Sequence, residues 1–371
     1  MKKPTVAILR TRPETVVDDY RTLMEMAGFE QHLNRRFPTL IKPELSWHVP
    51  FPAVNTPPWQ LEGVARTLLN TGYRDLCVVE SRSPEADTYQ AEIRNHLVSV
   101  FNQYHLEVRY TFETADMRWV PYSPKRPLLV LDRLFPDGIR VPDFLIGKNM
   151  VHLPTLKTHL LCTVSGAMRA PFYTLLEQER RPDCYPELAR VFVDLLALQR
   201  EIHPGLFCVV DGTTAGNGPG PRTVTPVMKD MLLASSDPVA IDAVMARIMG
   251  FDPLQIEYLR LAHDLGLGVA RLEEIELVGE DISELNFNFS LGSGTLDHVE
   301  RALRTESVQR LMPLIGQPPL RHVWGINSRL YHDVLWYEAR GRLPHRSWLE
   351  QRWGQLFKRY TGELPSASYP A

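Results

Sequence analysis

The chain has 371 residues, of which 44% are hydrophobic and 23% charged, and this is the composition of an ordinary globular protein with a large core. A formal net charge of −3, without any clustered basic block, argues against a nucleic-acid-binding protein. No apolar run approaches the roughly eighteen residues of a transmembrane helix, and Pro4 and Arg10 interrupt any signal-peptide core, so we expect a cytoplasmic protein.

Strand and helix patterns alternate in the first hundred residues. Short apolar runs at 6–9 and 75–80 predict strands, and amphipathic stretches at 14–27, 59–70 and 88–101 predict helices. A strand, a helix and a second strand of these lengths form a right-handed crossover unit, which indicates a parallel sheet.

The four cysteines, at 77, 162, 184 and 208, show no metal-binding spacing. Cys77 and Cys208 lie in apolar runs, so we expect buried thiols and a reducing compartment. Cys162 closely follows a lysine and a histidine, but a packed structural thiol is favoured there over a nucleophile.

Five prolines make the segment from Lys42 to Pro58 an irregular loop. It carries Lys42, Glu44, Ser46, Trp47 and His48. Two interpretations stay open. The loop is either a rigid surface connection or a substrate loop with Lys42 and His48 in its wall, because long loops without secondary structure are unusual unless they are functional.

The segment 153–159, LPTLKTH, carries Lys157 and His159 two residues apart. Pro154 predicts a loop or the opening of a helix. In an extended chain both side chains would face one bound group, where lysine neutralises an anion or, when desolvated, acts as a base, and histidine moves protons. The alternative is an exposed pair without a task.

The stretch 206–250 is the most informative part of the chain. Five apolar residues from Leu206 lead to Asp211, as in a buried strand that delivers a functional loop. The predicted loop exposes the backbone amides of four residues to an anion: Gly212, Gly216, Asn217 and Gly218. A second apolar run leads to Asp237, predicted to cap a helix that begins at Pro238 and ends before Gly250.

Three acidic residues in this stretch are candidate metal ligands, namely Asp211, Asp237 and Asp242. Asp242 lies inside an apolar helix and needs a partner there, either Arg247, a backbone amide or a metal. One interpretation is a divalent cation held by Asp211 and Asp237 with His48 or His159, but the sequence has no recognisable ligand spacing for it. The cofactor therefore stays unknown.

The last convincing strand pattern is at 273–279, and a polar stretch at 285–294 marks the predicted boundary. We predict one α/β domain over 1–280, with a mainly parallel sheet, helices on both faces and the strand at Leu206 in a central position. Residues 295–371 are predicted to form a helical, aromatic-rich extension, whose rings pack on the body or across a homodimer.

Four motifs together resemble the uncharacterised domain-of-unknown-function 362 family: LIKPELS, LPTLKTH, VVDGTTAGNGPG and LLASSDPVAIDAVMARIMGFDP, over roughly 39–279. Many members of that family carry ferredoxin-like cysteine clusters. This chain has no C-x-x-C, so the resemblance implies no intrinsic iron–sulfur cluster here. A fainter similarity, to the nickel-pincer lactate racemases, rests on the Pro- and His-bearing loop followed by a helix and a strand.

Two functions remain. In the first, the protein is an enzyme that acts on a small carboxylate or phosphate metabolite. Lys157 and the glycine loop would hold the anion, His159 would move a proton, and Asp211 would orient the histidine or a metal-bound water. The reaction would belong to the isomerases or racemases, the lyases or the oxidoreductases. In the second, it is a non-catalytic partner of a cofactor or a redox protein.

Overall fold

The computed structural model describes residues 3–82, 86–292, 306–315 and 327–361. The strands are β1 Thr5–Arg10, β2 Thr39–Pro43, β3 Leu76–Glu80, β4 Glu107–Tyr110, β5 Trp119–Tyr122, β6 Ile139–Pro142, β7 Asn149–Leu153, β8 Thr155–His159, β9 Thr163–Val164, β10 Leu206–Asn217, β11 Thr225–Ser235 and β12 Glu276–Gly279.

The helices are α1 Val16–Met26, α2 Phe29–His32, α3 Pro58–Asn70, α4 Thr88–Arg94, α5 Leu97–Gln103, α6 Leu131–Leu134, α7 Pro171–Thr174, α8 Arg181–Cys184, α9 Leu188–Ile202, α10 Pro238–Met249, α11 Glu257–Asp264, α12 Glu306–Ile315, α13 Arg342–Glu350 and α14 Arg352–Arg359. A π-helical segment, Leu330–Gly341, runs directly into α13. Single helical turns lie at Asp143–Leu145, Tyr185–Glu187, Pro253–Gln255 and Leu272–Glu274.

One large, mainly parallel sheet organises the fold. Its order is β12-β1-β11-β10-β7-β2-β3-β4, and β8 continues from β7 along the second half of β10. The strand β11 runs antiparallel to both of its neighbours, whereas β2, β3, β4, β7 and β10 run parallel to one another. The predicted fold class and the central position of the strand at Leu206 are therefore confirmed.

The first five residues of β10 form an unbroken apolar run because both faces of the strand are buried there. Phe207 and Val209 pack on the face covered by α1, α3 and α5, and Cys208 and Val210 pack on the face covered by α9 and α10. All four side chains are fully buried. Such burial on both faces is the environment of an inner strand in an α/β sheet.

Local signals place the helix α10 as predicted. The Asp237 side chain accepts hydrogen bonds from the backbone N–H groups of Val239 (2.9 Å) and Ala240 (3.2 Å). Pro238 occupies the first helical position, and Gly250 ends the helix with φ of +102°. Both ends are thus specified by residues whose backbone preferences match the site.

Two secondary-structure predictions are wrong. The predicted helix at 88–101 is two helices, α4 and α5, because His96 adopts a left-handed conformation with φ of +58° between them. The segment that carries Lys157 and His159 is the strand β8, not a loop or a helix start. Pro154 interrupts the chain between β7 and β8 without turning it away from β10.

The predicted glycine loop after Asp211 is also wrong, because β10 continues to Asn217. Gly212 pairs with Met231 of β11 and Gly216 with Pro226. The Gly218 N–H donates to the Thr158 hydroxyl (3.0 Å), and the Asn217 side-chain oxygen accepts from the Ser290 N–H (2.9 Å). The segment therefore forms a long strand followed by a short turn rather than an open loop of free amides.

The described part of the C-terminal region is helical and packs on the body through aromatic rings, as predicted. Trp353 lies 5.4 Å from the ring of Trp59, and the Trp348 indole N–H donates to the Thr214 hydroxyl (3.0 Å). Further along the body, Trp336 lies 6.2 Å from Trp47. Trp324, which carried part of this prediction, lies outside the described residues, and the division into 1–280 and 295–371 stays a prediction.

Among the helices that the structure describes, none is both long enough and apolar enough to cross a membrane.

Candidate functional site

A cleft opens where the parallel strands β2, β3 and β7 end. Its empty volume, which includes the solvent space at its opening, is about 620 Å³. The residues that line it are Lys42, Pro43, Glu44, Leu45, Ser46, Ser81, Pro154, Gly166, Arg169, Ala170, Tyr173, Pro221 and Arg222. The crevice beyond the carboxyl ends of the strands is where open α/β sheets bind ligands.

Glu44, the first residue after β2, is the carboxylate of this cleft. Its Oε2 accepts hydrogen bonds from Lys157 Nζ (2.6 Å) and the Thr155 N–H (3.0 Å), and its Oε1 accepts from Arg169 (3.3 Å) and the Ser165 hydroxyl (3.2 Å). Burial alone would raise the pKa of Glu44, but the two cations outweigh burial and hold the pKa below its ordinary value. Glu44 is therefore ionised at neutral pH.

Lys157 lies behind Glu44, at the buried end of this cluster. Its side chain is completely buried, and its ammonium group also contacts the Thr155 hydroxyl at 2.5 Å. Burial lowers the pKa of Lys157 from 10.5 to about 8, although Glu44 opposes the change. A lysine with a pKa this close to neutrality can take up and release a proton under physiological conditions.

Arg169 forms the opposite side of the cluster and is held in place by its own chain segment. The Asp242 carboxylate accepts hydrogen bonds from the N–H groups of Ala167 (2.7 Å) and Met168 (3.0 Å), which resolves the question of its partner in favour of backbone amides. Gly166 is required beside it, because a Cβ there would lie 2.1 Å from Asp242 Oδ1. Burial raises the pKa of Asp242 to about 7.

Lys42 forms a second lysine–glutamate pair at the end of β2. Its ammonium group donates to Glu80 Oε2 (2.8 Å) and to the Pro43 carbonyl (2.5 Å). Glu80, the last residue of β3, is fully buried, whereas Lys42 lines the cleft. The ends of β2 and β3 thus place two ion pairs at the cleft, Lys42–Glu80 and Lys157–Glu44.

Only some of the residues that the sequence predicted for the site lie at this cleft. Lys42 lines the cleft and Lys157 contacts it through Glu44, but His159 and His48 do not belong to the cleft lining. The His159 ring nitrogen Nδ1 accepts from the Leu161 N–H (3.1 Å). His48 lies 3.4 Å from Asp333 of the C-terminal region, and burial lowers the pKa of its imidazole.

Asp211 lies apart from the cleft in a buried network of its own. Its carboxylate accepts hydrogen bonds from the Tyr20 hydroxyl (2.6 Å), the Trp59 indole (2.9 Å) and the Thr213 N–H (3.0 Å). Burial raises the pKa of Asp211, and these donors oppose the change. The network gives the carboxylate a structural explanation, since buried acids need such partners.

The three candidate metal ligands are separated. Asp211 pairs across the sheet with Leu232, whereas Asp237 follows Ser235, which pairs with Cys208 nearer the start of β10. The expected approach of Asp211 to Asp237 is therefore wrong, because β11 runs antiparallel to β10 and carries Asp237 past the start of β10, whereas Asp211 lies in the middle of that strand. Over the residues described, no group of three or more His, Cys, Asp or Glu side chains is arranged to hold a metal ion.

Sequence reasoning missed several members of the cleft. Glu44 was recognised only as part of the proline-rich loop, although a carboxylate two residues after Lys42 at a strand end was a usable signal. Arg169, Ser165 and Tyr173 lie in a segment without a motif. Only tertiary packing brings Arg169 and Ser165 to Glu44 and places Tyr173 in the cleft lining.

The comparison with family models gives one match. The model described as domain of unknown function (DUF362) matches residues 39–247, which is more than half of the chain and ends before the 279 expected from the motifs. This range includes Glu44, Lys157 and Arg169. No curated protein and no solved structure shows a significant match to the chain.

Proposed function

Because the chain belongs to the DUF362 family, whose description names no activity, we propose from the site geometry that it is an enzyme that acts on a small anionic metabolite by proton transfer. The substrate would carry a carboxylate or phosphate group and would bind in the cleft at the ends of β2, β3 and β7. The observation that carries this proposal is the buried cluster of Glu44, Lys157 and Arg169 beside that cleft.

Lys42 and Arg169 are the groups that we assign to the anion. A guanidinium has five N–H donors, and Glu44 accepts one from Arg169. An ammonium has three donors, two of which Lys42 gives to Glu80 and Pro43. The remaining donors suit the oxygens of a carboxylate or phosphate, and the low polarity around a buried site strengthens such contacts.

The Lys157–Glu44 pair is the group that we assign to proton transfer. Glu44 borders the cleft with 13% of its side chain exposed, and Lys157 is completely buried behind it. A carboxylate at the surface of the cleft and a lysine with a pKa of about 8 behind it form a two-residue path for a proton. This assignment replaces His159, which was expected to move the proton, and Asp211, which was expected to orient the histidine or a metal-bound water; neither residue lines the cleft.

Binding of sulfate and of acetate, measured by titration calorimetry, tests the anion site. We expect Arg169→Gln to weaken binding of both probes by about tenfold or more, because one buried cation is lost. Arg181→Gln is the matched control. Arg181 stacks on the same Tyr173 ring as Arg169 (5.0 against 5.5 Å) but donates to backbone carbonyls and does not line the cleft.

Unchanged binding in Arg169→Gln, or equal losses in the two variants, would contradict the anion site. Once a turnover assay exists, the neutral double variant Lys157→Met/Glu44→Gln should abolish turnover and keep most of the binding. That result separates proton transfer from holding of the anion.

The alternative function, a non-catalytic partner of a cofactor or a redox protein, has one observation in its favour. Large apolar side chains are exposed on the C-terminal helices, at Leu330 (52%), Leu335 (59%) and Leu343 (77%). Such side chains are common in binding surfaces. Absence of anion binding together with loss of a partner in Leu343→Glu would favour this function. We keep a cytoplasmic location in the proposal, since all four cysteines are free thiols.

A further inference from the structure

A second buried carboxyl lies behind the Lys42–Glu80 ion pair. Glu92 of α4 is fully buried, like Glu80 of β3, and its Oε2 accepts a hydrogen bond from the Tyr110 hydroxyl of β4 at 3.0 Å. Tyr110 is also the residue that pairs with Glu80 across β3 and β4, so Glu80 and Glu92 are both neighbours of Tyr110, and Glu80 binds Lys42, which lines the cleft.

Each of the two carboxyls has one buried oxygen without a hydrogen-bond partner among the residues described. Glu80 uses Oε2 for Lys42 and Glu92 uses Oε2 for Tyr110, while the Oε1 atom of each is buried and has no hydrogen-bond partner in the described structure. A buried carboxylate oxygen without a partner is costly. A proton on either group would remove one of the two buried negative charges and so lower the cost of burying the pair.

The surrounding charges favour a single proton on this pair. Lys42 from β2 is the cation that faces it, and Asp87 at the start of α4 adds a further negative charge. Burial raises the pKa of Glu92, and the adjacent Glu80 raises it further. Burial also raises the pKa of Glu80, whereas Lys42 opposes that change. Neighbouring carboxyls of this kind titrate as a unit.

We propose that Glu80 and Glu92 share one proton at neutral pH and form a proton store directly behind the anion-binding group Lys42. With the proton in place, the pair carries one negative charge, which Lys42 balances. Loss of the proton would put a second negative charge behind Lys42 and weaken the binding of an anion in the cleft. The link to anion binding rests on the function proposed above; the shared proton itself does not.

Infrared difference spectra of the wild-type protein against Glu92→Gln test the proton directly. We expect the difference spectrum to show the carbonyl band of a protonated carboxylic acid at about pH 7, a pH at which model carboxylic acids are already ionised. Asp242, whose pKa is about 7, contributes equally to both proteins and cancels in the difference. Glu113→Gln is the matched control, because Glu113 also accepts from a tyrosine, Tyr89 (2.9 Å), but is not among the groups that act on Glu92.

Sulfate affinity, measured from about pH 6 to about pH 10, tests the link to the cleft, since sulfate keeps its charge throughout. In the wild type, affinity should fall about tenfold as the infrared band disappears, because one charge is added behind Lys42. Glu92→Gln should lack this step and keep only the decline due to Lys157, whose pKa is about 8.

A second variant, Tyr110→Phe, tests the shared proton even if Glu92→Gln does not fold. The Tyr110 hydrogen bond lowers the pKa of Glu92, so Tyr110→Phe should move the disappearance of the band to higher pH. Absence of the band from the difference spectrum at neutral pH would overturn the shared proton. A protein that shows the band but binds no sulfate at any pH would instead overturn the proposed anion site.

Discussion

Lys157 Nζ lies 2.6 Å from Glu44 Oε2, although the two residues are 113 positions apart in the chain. Lys157 is completely buried and Glu44 is partly buried, and the pair sits where β2 ends and β8 passes beside β10. The contact joins two sequence motifs of the family in one site. It also makes the charge of each residue dependent on the other, and several measurable consequences follow from that dependence.

Breaking this ion pair should be more damaging than replacing it. Lys157→Met leaves Glu44 buried with Arg169 as its remaining cation, and we expect a loss of about 3–5 kcal/mol in the free energy of unfolding. The double variant Lys157→Met/Glu44→Gln leaves no lone charge, so its loss should be smaller than that of Lys157→Met. Urea unfolding of Lys157→Met, of Glu44→Gln and of the double variant measures the coupling energy between the two residues. Additive losses would contradict a direct interaction.

The free energy of unfolding should rise with pH above about 8 because of Lys157. Its pKa is about 8 in the folded protein and 10.5 as an ordinary lysine, so the unfolded chain binds more protons between these values. Unfolding free energies of the wild type, measured across this window and compared with the double variant, should show a rise that only the wild type has. A wild type that is flat or falls relative to the variant would show that the folded lysine is not depressed.

Asp211 should prove structural rather than catalytic. Asp211→Asn puts an amide group among four hydrogen-bond donors, from Tyr20, Trp59 and Thr213. We expect a stability loss of about 1–3 kcal/mol and sulfate binding within about twofold of the wild type. Thermal unfolding and calorimetry on the same sample separate the two effects. Loss of anion binding with unchanged stability would restore Asp211 to the site.

The C-terminal aromatic residues should stabilise the loop that carries Glu44. Trp336 packs on Phe51 (5.6 Å), and the Trp47 indole donates to Asp333 (2.6 Å), so both contacts fall on the irregular segment after β2. Trp336→Ala should lower the free energy of unfolding by about 3–5 kcal/mol and expose this loop to proteolysis.

Deleting 295–371 should expose apolar surface and cause aggregation. A truncated protein that stays monodisperse with an unchanged melting temperature would rule this out.

A homodimer through the C-terminal extension stays a prediction that the exposed leucines make testable. Leu343, with 77% of its surface exposed, is the clearest position. If the extension forms a dimer, sedimentation analysis should show a dimer for the wild type and a monomer for Leu343→Glu. Ser347→Glu, at an exposed position on the same helix α13, adds the same negative charge and is the control. A monomeric wild type would contradict the dimer.

Local signals in the sequence were enough for the sheet and for the ends of its main helices. The five apolar residues from Leu206 require burial on both faces, which only an inner strand receives. Asp237, Pro238 and Gly250 specify the two ends of α10 through backbone preferences that act within a few residues. Properties of this kind depend on neighbours in the chain, and they can therefore be read from it directly.

The tertiary structure alone decided the composition of the site and the course of β10. Pairing with β11 draws Gly212 and Gly216 into the sheet, although glycine by itself favours a loop, because ladder hydrogen bonds outweigh a weak local preference. The same nonlocal packing encloses Asp211 between Tyr20 and Trp59 and brings Arg169 to Glu44. Such contacts join residues far apart in the chain, so no local pattern in the sequence could indicate them.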